Sequence, residues 1–135
     1  MIERSAKRLI FWADGRRRIG DKMAKMSSKP EKVVKEYVSA LDSQDFDLAA
    51  GLIAEDVRII GPAGENFGKP KDFTNMLKRY HGKYKILKMF VDGEDVGLMY
   101  DFTTSGKTVY MSSWYKVESG RINYIRTVFD PSAFE

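Results

Sequence analysis

The stretch EYVSALDSQDFDLAAGLIAEDVRIIGP, residues 36–62, holds two helices, a short strand and the turn that stops it. Just upstream, Ser28 and Glu31 have the spacing of a capping box, with Pro30 acceptable in the first helical turn. A helix therefore starts there, with Val33, Val34, Tyr37, Val38 and Leu41 as its apolar stripe and Asp42 to Gln44 as its end. Asp45 is placed to cap a second helix carrying Phe46, Ala49, Ala50, Leu52 and Ile53, which is expected to end near Glu55 and Asp56. Val57 to Ile60 is a short β-rich run stopped by Gly61 and Pro62.

Downstream, a glycine-rich stretch leads to Lys69, and the spacing predicts a third helix over Pro70 to His81 with Phe73, Met76, Leu77 and Tyr80 on one face. Gly82 ends it. Four long strands follow, Tyr84 to Asp92, Asp95 to Thr104, Lys107 to Glu118 and Arg121 to Phe129, joined by turns at Asp92-Gly93, Ser105-Gly106 and Ser119-Gly120. Helices first and an antiparallel meander afterwards give an α+β class, in which the sheet curls around three helices.

The chain has 135 residues with no cysteine and one histidine, His81, which excludes disulfides, thiolate catalysis, zinc fingers and His-rich metal sites. The expectation is no metal and no cofactor. The longest apolar run, Leu9 to Ala13, is too short for a transmembrane span or a signal-peptide core, so a soluble, cytoplasmic protein is expected. Residues 1–26 carry eight Lys and Arg against three Asp and Glu, a net +5, which leaves a net −1 for residues 27–135. The excess of positive charge thus belongs to a basic amphipathic N-terminal extension, residues 1–26. Residues 27–135 form the domain proper and have no electrostatic case for nucleic acid. Anchoring on one short helix is weak, so membrane contact by the extension is not expected either.

The run at 36–62, the later SGRINYIRTVFDPSAF at 119–134 and the element order between them resemble the nuclear transport factor 2-like superfamily. This group includes SnoaL-like polyketide cyclases, ketosteroid isomerases and limonene epoxide hydrolases. The resemblance covers about residues 30–135 and implies a cystatin-like cone: a strongly curved antiparallel sheet closed by helices around an internal pocket, commonly dimeric through the sheet's outer face. It also gives Tyr37 the place of the isomerases' oxygen-binding tyrosine. Their general base, however, falls at Gly61, which cannot take a proton, and their second donor at about Ser113. The epoxide hydrolases' tyrosine and asparagine align with Ile59 and Gly61, their last-strand aspartate with Thr127, and their remaining pair near Leu98 and Tyr100. The known catalytic carboxylates are therefore unmatched, and fold alone licenses no reaction.

Alternation assigns the faces. Val96, Leu98, Tyr100 and Phe102 oppose Gly97, Met99, Asp101 and Thr103; Val109, Met111, Ser113, Tyr115 and Val117 oppose Tyr110, Ser112, Trp114 and Lys116. The first set in each case is taken as interior, with Asn123, Ile125, Thr127 and Phe129 of the last strand. Tyr37 and, as a fallback acid or base, Asp101 are the catalytic candidates; Tyr100, Phe102, Met111, Ser113, Tyr115, Thr127 and Phe129 are the ligand-binding set. The alternative role for Asp101 is an outer-face partner of Arg126 or Lys116. Asp56 reads as a turn residue, and His81 as a cation at a helix C-terminus. The first functional expectation is a small-molecule enzyme of isomerase, cyclase or hydrolase type acting on a mostly hydrophobic molecule in a deep apolar pocket. The alternatives are a non-catalytic binder of such a molecule and a dimeric association module. Met99, Tyr110, Trp114 and Tyr124 would form an outer aromatic patch, which predicts a homodimer unless the N-terminal extension covers it.

Overall fold

The computed structural model describes residues 29–134, and the extension at 1–26 and Ser28 lie outside the described residues. Helix α1, Pro30–Asp42, has Lys29 rather than Ser28 as its N-cap, without a side-chain capping bond. Pro30 sets this boundary, since its fixed φ and missing N–H suit the first helical position. The stripe Val33, Val34, Tyr37, Val38 and Leu41 is buried as its spacing requires. Gln44 leaves the helical path at φ 67°, and the Asp45 carboxylate accepts the Leu48 N–H to start helix α2, Phe46–Gly51.

Helix α2 is shorter than its apolar spacing predicts, because strand β1 runs from Ile53 to Gly61 and takes the residues expected to extend the helix. Ile122 N–H donates to the Leu52 carbonyl at 2.9 Å, and Ile53 pairs with Ile122. Sheet pairing thus outweighs helical propensity one residue after Gly51, which itself weakens a helix. Strand β2, Gly64–Phe67, folds back antiparallel on β1 out of the stretch expected to be a loop. Helix α3 covers Pro70–Lys78 and stops short of His81, which is exposed beyond the helix end at φ 50°.

Strands β3 (Lys83–Asp92), β4 (Asp95–Thr104), β5 (Lys107–Glu118) and β6 (Arg121–Val128) form the expected meander. The six-stranded sheet has the order β2-β1-β6-β5-β4-β3, in which β1 runs parallel to β6 and all other neighbours are antiparallel. Ser105-Gly106 and Ser119-Gly120 have positive φ at both residues, the two-residue hairpin geometry that matches strand twist. The first hairpin turns one residue later than expected, at Gly93-Glu94.

The alternation holds through β4 and β5, whose assigned interior residues are buried. In β6 the register shifts against β5, with Lys116 opposite Tyr124 and Val117 opposite Ile122, so Asn123 is an extra residue in a bulge. Ile122 takes the buried place expected of Asn123, which is half-buried and donates to Glu118. A second shift, between Ile86 and Lys88 in β3, leaves Leu87 unpaired against β4. Helix α1 lies across β3 to β6, while α3 packs on β1 and β2. No helix among the described residues is long and apolar enough to cross a membrane.

Three contacts fix the junction between the helical layer and strands β3 and β4. The Asp42 carboxylate accepts the Tyr84 N–H at 2.8 Å, Lys83 Nζ donates to the Asp42 carbonyl at 2.8 Å, and Thr104 Oγ1 donates to the Tyr80 carbonyl. Gly82 lies directly under the Phe102 ring, where a Cβ would fall inside the ring's van der Waals envelope. Because Phe102 is itself packed by Tyr80 and Tyr84, it has little room to yield. Gly82→Ala is expected to cost about 1–3 kcal/mol, read as a lowered urea midpoint with unchanged m-value; an unchanged midpoint would contradict this packing.

Candidate functional site

Between the sheet's interior face and helices α1 and α3 lies a cavity of about 240 Å³. Tyr37 and Leu41 reach it from α1, and Phe73, Met76 and Leu77 from α3, each from the apolar face that periodicity places inward. The sheet supplies Tyr84, Tyr100, Phe102, Met111, Tyr115 and Thr127, and the β1–β2 turn adds Gly61, Pro62 and Ala63.

Of the residues singled out in the sequence, Tyr37, Tyr100, Phe102, Met111, Tyr115, Thr127 and Phe129 line this one cavity. Ser113 is buried just behind the lining and links it: Tyr100 Oη lies 2.9 Å from Ser113 Oγ, which lies 2.9 Å from Thr127 Oγ1. Three hydroxyls on three adjacent strands thus form one hydrogen-bonded chain. Cross-strand register brings them together, with Ser113 opposite Leu98 on one side and Thr127 on the other.

Asp101 is not part of the site. It stands on the opposite face of β4, paired in register with Lys85 and Tyr110, and does not line the cavity. Its expected ion pairs are also absent, because Lys116 lies 3.9 Å from Asp95 instead and Asp101 has no salt bridge among the described residues. Asp101 thus lies on the outer face to which alternation assigned it. Neither Asp56 nor His81 lines the cavity.

Tyr84 was not foreseen as a site residue. Its face follows from alternation with Ile86 and its register opposite Phe102, but the shift at Leu87 breaks that pattern downstream. Phe134, from a short 3-10 turn at Pro131–Phe134, also lines the cavity, and only its size and apolarity hinted at it.

Four phenols dominate the electrostatics. Burial pushes the Tyr37 hydroxyl well above the usual 10.0, and the neighbouring Tyr115, Tyr84 and Tyr100 phenols push it further. Tyr115 is raised well above 10.0, chiefly by burial and then by Tyr100. Burial likewise raises Tyr84, helped by Tyr100 and by Asp42 from outside the lining. Burial raises Tyr100 too, although its bonds toward Ser113 and Thr127 oppose the shift. These groups donate hydrogen bonds and cannot act as bases near neutrality. Among the described residues no Asp, Glu, Lys, Arg or His lines the cavity. No group of three or more His, Asp or Glu that could hold a metal ion is found there either.

Tyr37 stands outside the hydrogen-bonded chain of Tyr100, Ser113 and Thr127. Its ring meets Tyr115 edge-to-face at 5.9 Å, yet its Oη has no hydrogen-bond partner among the described residues. A donor is therefore left for whatever occupies the cavity. At Gly61 the wall is backbone alone, with nothing within 4 Å of an added Cβ.

The raised phenols make a pH prediction. Each holds its proton more tightly folded than unfolded, so the stability linked to them is complete below pH 10.0 and lost as pH rises above it. In spectrophotometric titration, four of the seven tyrosines should ionise only as the protein unfolds in alkali. Ionisation of more than three before the unfolding transition would contradict the buried cluster.

The comparisons agree with this architecture. The SnoaL-like domain model matches residues 34–125. An NTF2-like protein of unknown function from Cytophaga hutchinsonii is 32% identical, with a TM-score of 0.73 over 79% of this chain and 96% of that one. A putative ketosteroid isomerase from Kribbella flavida, 16% identical, superposes with a TM-score of 0.69 over 78% of each chain. An LEH-like epoxide hydrolase from M. tuberculosis, 19% identical, superposes at 0.65 over 81% of this chain and 86% of that one. At such identities the last two share the fold alone. None of the curated proteins matches the sequence. With its helices and curved six-stranded sheet, the chain belongs to the SnoaL-like family of nuclear transport factor 2-like proteins.

Proposed function

We propose that the protein binds a small, mostly hydrophobic molecule carrying an oxygen acceptor, without transforming it. The observation that carries this reading is a cavity wall of apolar side chains whose polar groups are hydroxyls held neutral by burial. Apolar contact provides affinity, and a few convergent donors provide orientation. The family includes isomerases and hydrolases, and an enzyme was the first expectation from the sequence. The described lining supports the alternative, because no group there takes up or releases a proton near neutral pH.

Calorimetric titration with neutral ketones such as decan-2-one and simple aryl ketones tests the reading. Saturable binding without conversion is expected, weakened about 3–10-fold by Tyr37→Phe, the loss of one hydrogen bond to a ligand oxygen. Tyr110→Phe, on the outer face, should leave affinity unchanged. No binding by any ketone, or turnover of one by the wild-type protein, would contradict it.

We also propose that two copies associate through the outer sheet face. Tyr110 and Trp114 remain 58% and 43% exposed, and Trp114 packs against Tyr124 at 4.9 Å. Asp95 accepts the Trp114 indole N–H at 2.8 Å and pairs with Lys116, which gives the aromatic patch a polar rim. Sedimentation equilibrium at tens of micromolar should give twice the 15.5 kDa chain mass, reduced to one by Trp114→Glu. A wild-type mass of one chain rejects the dimer.

A further inference from the structure

The wall of the cavity nearest the β4–β5 hairpin is made by Phe134 and Tyr80, whose ring centroids lie 5.8 Å apart. The same two rings also line a second pocket of about 230 Å³, together with Thr104, Ser105, Lys107 and Ala133. Phe134 and Tyr80 thus border both hollows.

The segment carrying Phe134 is lightly held. It is a single 3-10 turn, closed by Ser132 bonds to the Asp130 carboxylate and by Ala133 N–H to the Asp130 carbonyl. Aromatic contacts seat its ring against Phe129 at 5.3 Å and Phe102 at 6.3 Å. One polar contact ties it to the sheet, Lys107 Nζ donating to the Ala133 carbonyl at 2.6 Å. Lys107 has no carboxylate partner among the described residues, and no acidic side chain lines the second pocket. Displacing the segment would therefore join the two hollows and free an ammonium group at their junction.

We propose that Phe134 and Tyr80 form a removable partition and that the ligand is an elongated monocarboxylate amphiphile, its apolar body in the inner cavity and its carboxylate on Lys107. The carboxylate replaces the Ala133 carbonyl, so Lys107 exchanges a neutral acceptor for a charged one, and charge-assisted hydrogen bonds are the stronger kind. The ligand's apolar chain takes the space that the Phe134 ring leaves. This rests on the binding reading above and adds to it the charge and length of the ligand.

The test is calorimetric titration of decanoate and decan-1-ol, at pH 7.5, into the full-length wild-type chain, Lys107→Gln and Phe134→Ala. The wild type is expected to favour decanoate about tenfold or more. Lys107→Gln should remove that preference by weakening decanoate far more than decan-1-ol, while Phe134→Ala should speed association of both compounds in stopped-flow measurements. Decan-1-ol binding with decanoate insensitive to Lys107→Gln, or with association unaffected by Phe134→Ala, overturns this proposal alone. Failure of both compounds to bind all three proteins overturns it together with the hydrophobic-binding reading.

Discussion

A sheet bent as strongly as this one cannot fill its own concave side. The interior residues of β4, β5 and β6 splay around a hollow, and apolar side chains on helices must enter it for the fold to have a core. Helix α1 meets most of that need, with its buried stripe lying across four strands and Tyr37 meeting Tyr115 edge-to-face. Helix α3 covers the β1–β2 end. What the two helices leave between them is the cavity, so the core and the site are built from one set of positions. In engineered cores an unfilled cavity weakens packing by about 24 cal/mol for each Å³. A hollow of about 240 Å³ is thus a feature that a bound molecule would stabilise.

The same curvature decides the chemistry. The phenols that face this space are buried, and burial favours the neutral form of each. Tyrosine, serine and threonine meet that condition by sharing hydrogen bonds, as Tyr100, Ser113 and Thr127 do across three strands. A carboxylate would need a partner that this wall does not provide. The carboxylates of β4 face the other way, where Asp95 serves Trp114 and Lys116. Donors on the inside and charges on the outside fit retention of a hydrophobic molecule better than proton transfer.

Much of this was legible in the sequence because two short-range rules act without interference over long spans. Helical spacing identified Tyr37 and Leu41 as inward, and strict alternation in β4 and β5 brought Tyr100, Met111, Ser113 and Tyr115 to one side. The rules failed where tertiary pairing intervened. Ile53 looked helical until Ile122 supplied a strand partner. Asn123 looked interior until a bulge moved Ile122 into its place. Asp101 was correctly placed on the outer face, but which cation it would meet depends on lateral geometry that alternation does not encode. Phe134 lies after the last strand, where no period applies, and its position follows only from the rings around it.

The methionines offer the most direct test of the central claim, that the interior hollow is the working surface. Met76 and Met111 line the cavity from the helix and sheet sides, while Met99 lies on the outer face of β4. With ¹³C-labelled methionine methyl groups, titration of a neutral hydrophobic ketone should move the Met76 and Met111 resonances saturably and leave Met99 in place. Shifts confined to Met99, or no shift at any of the three at the ketone's solubility limit, would contradict the account.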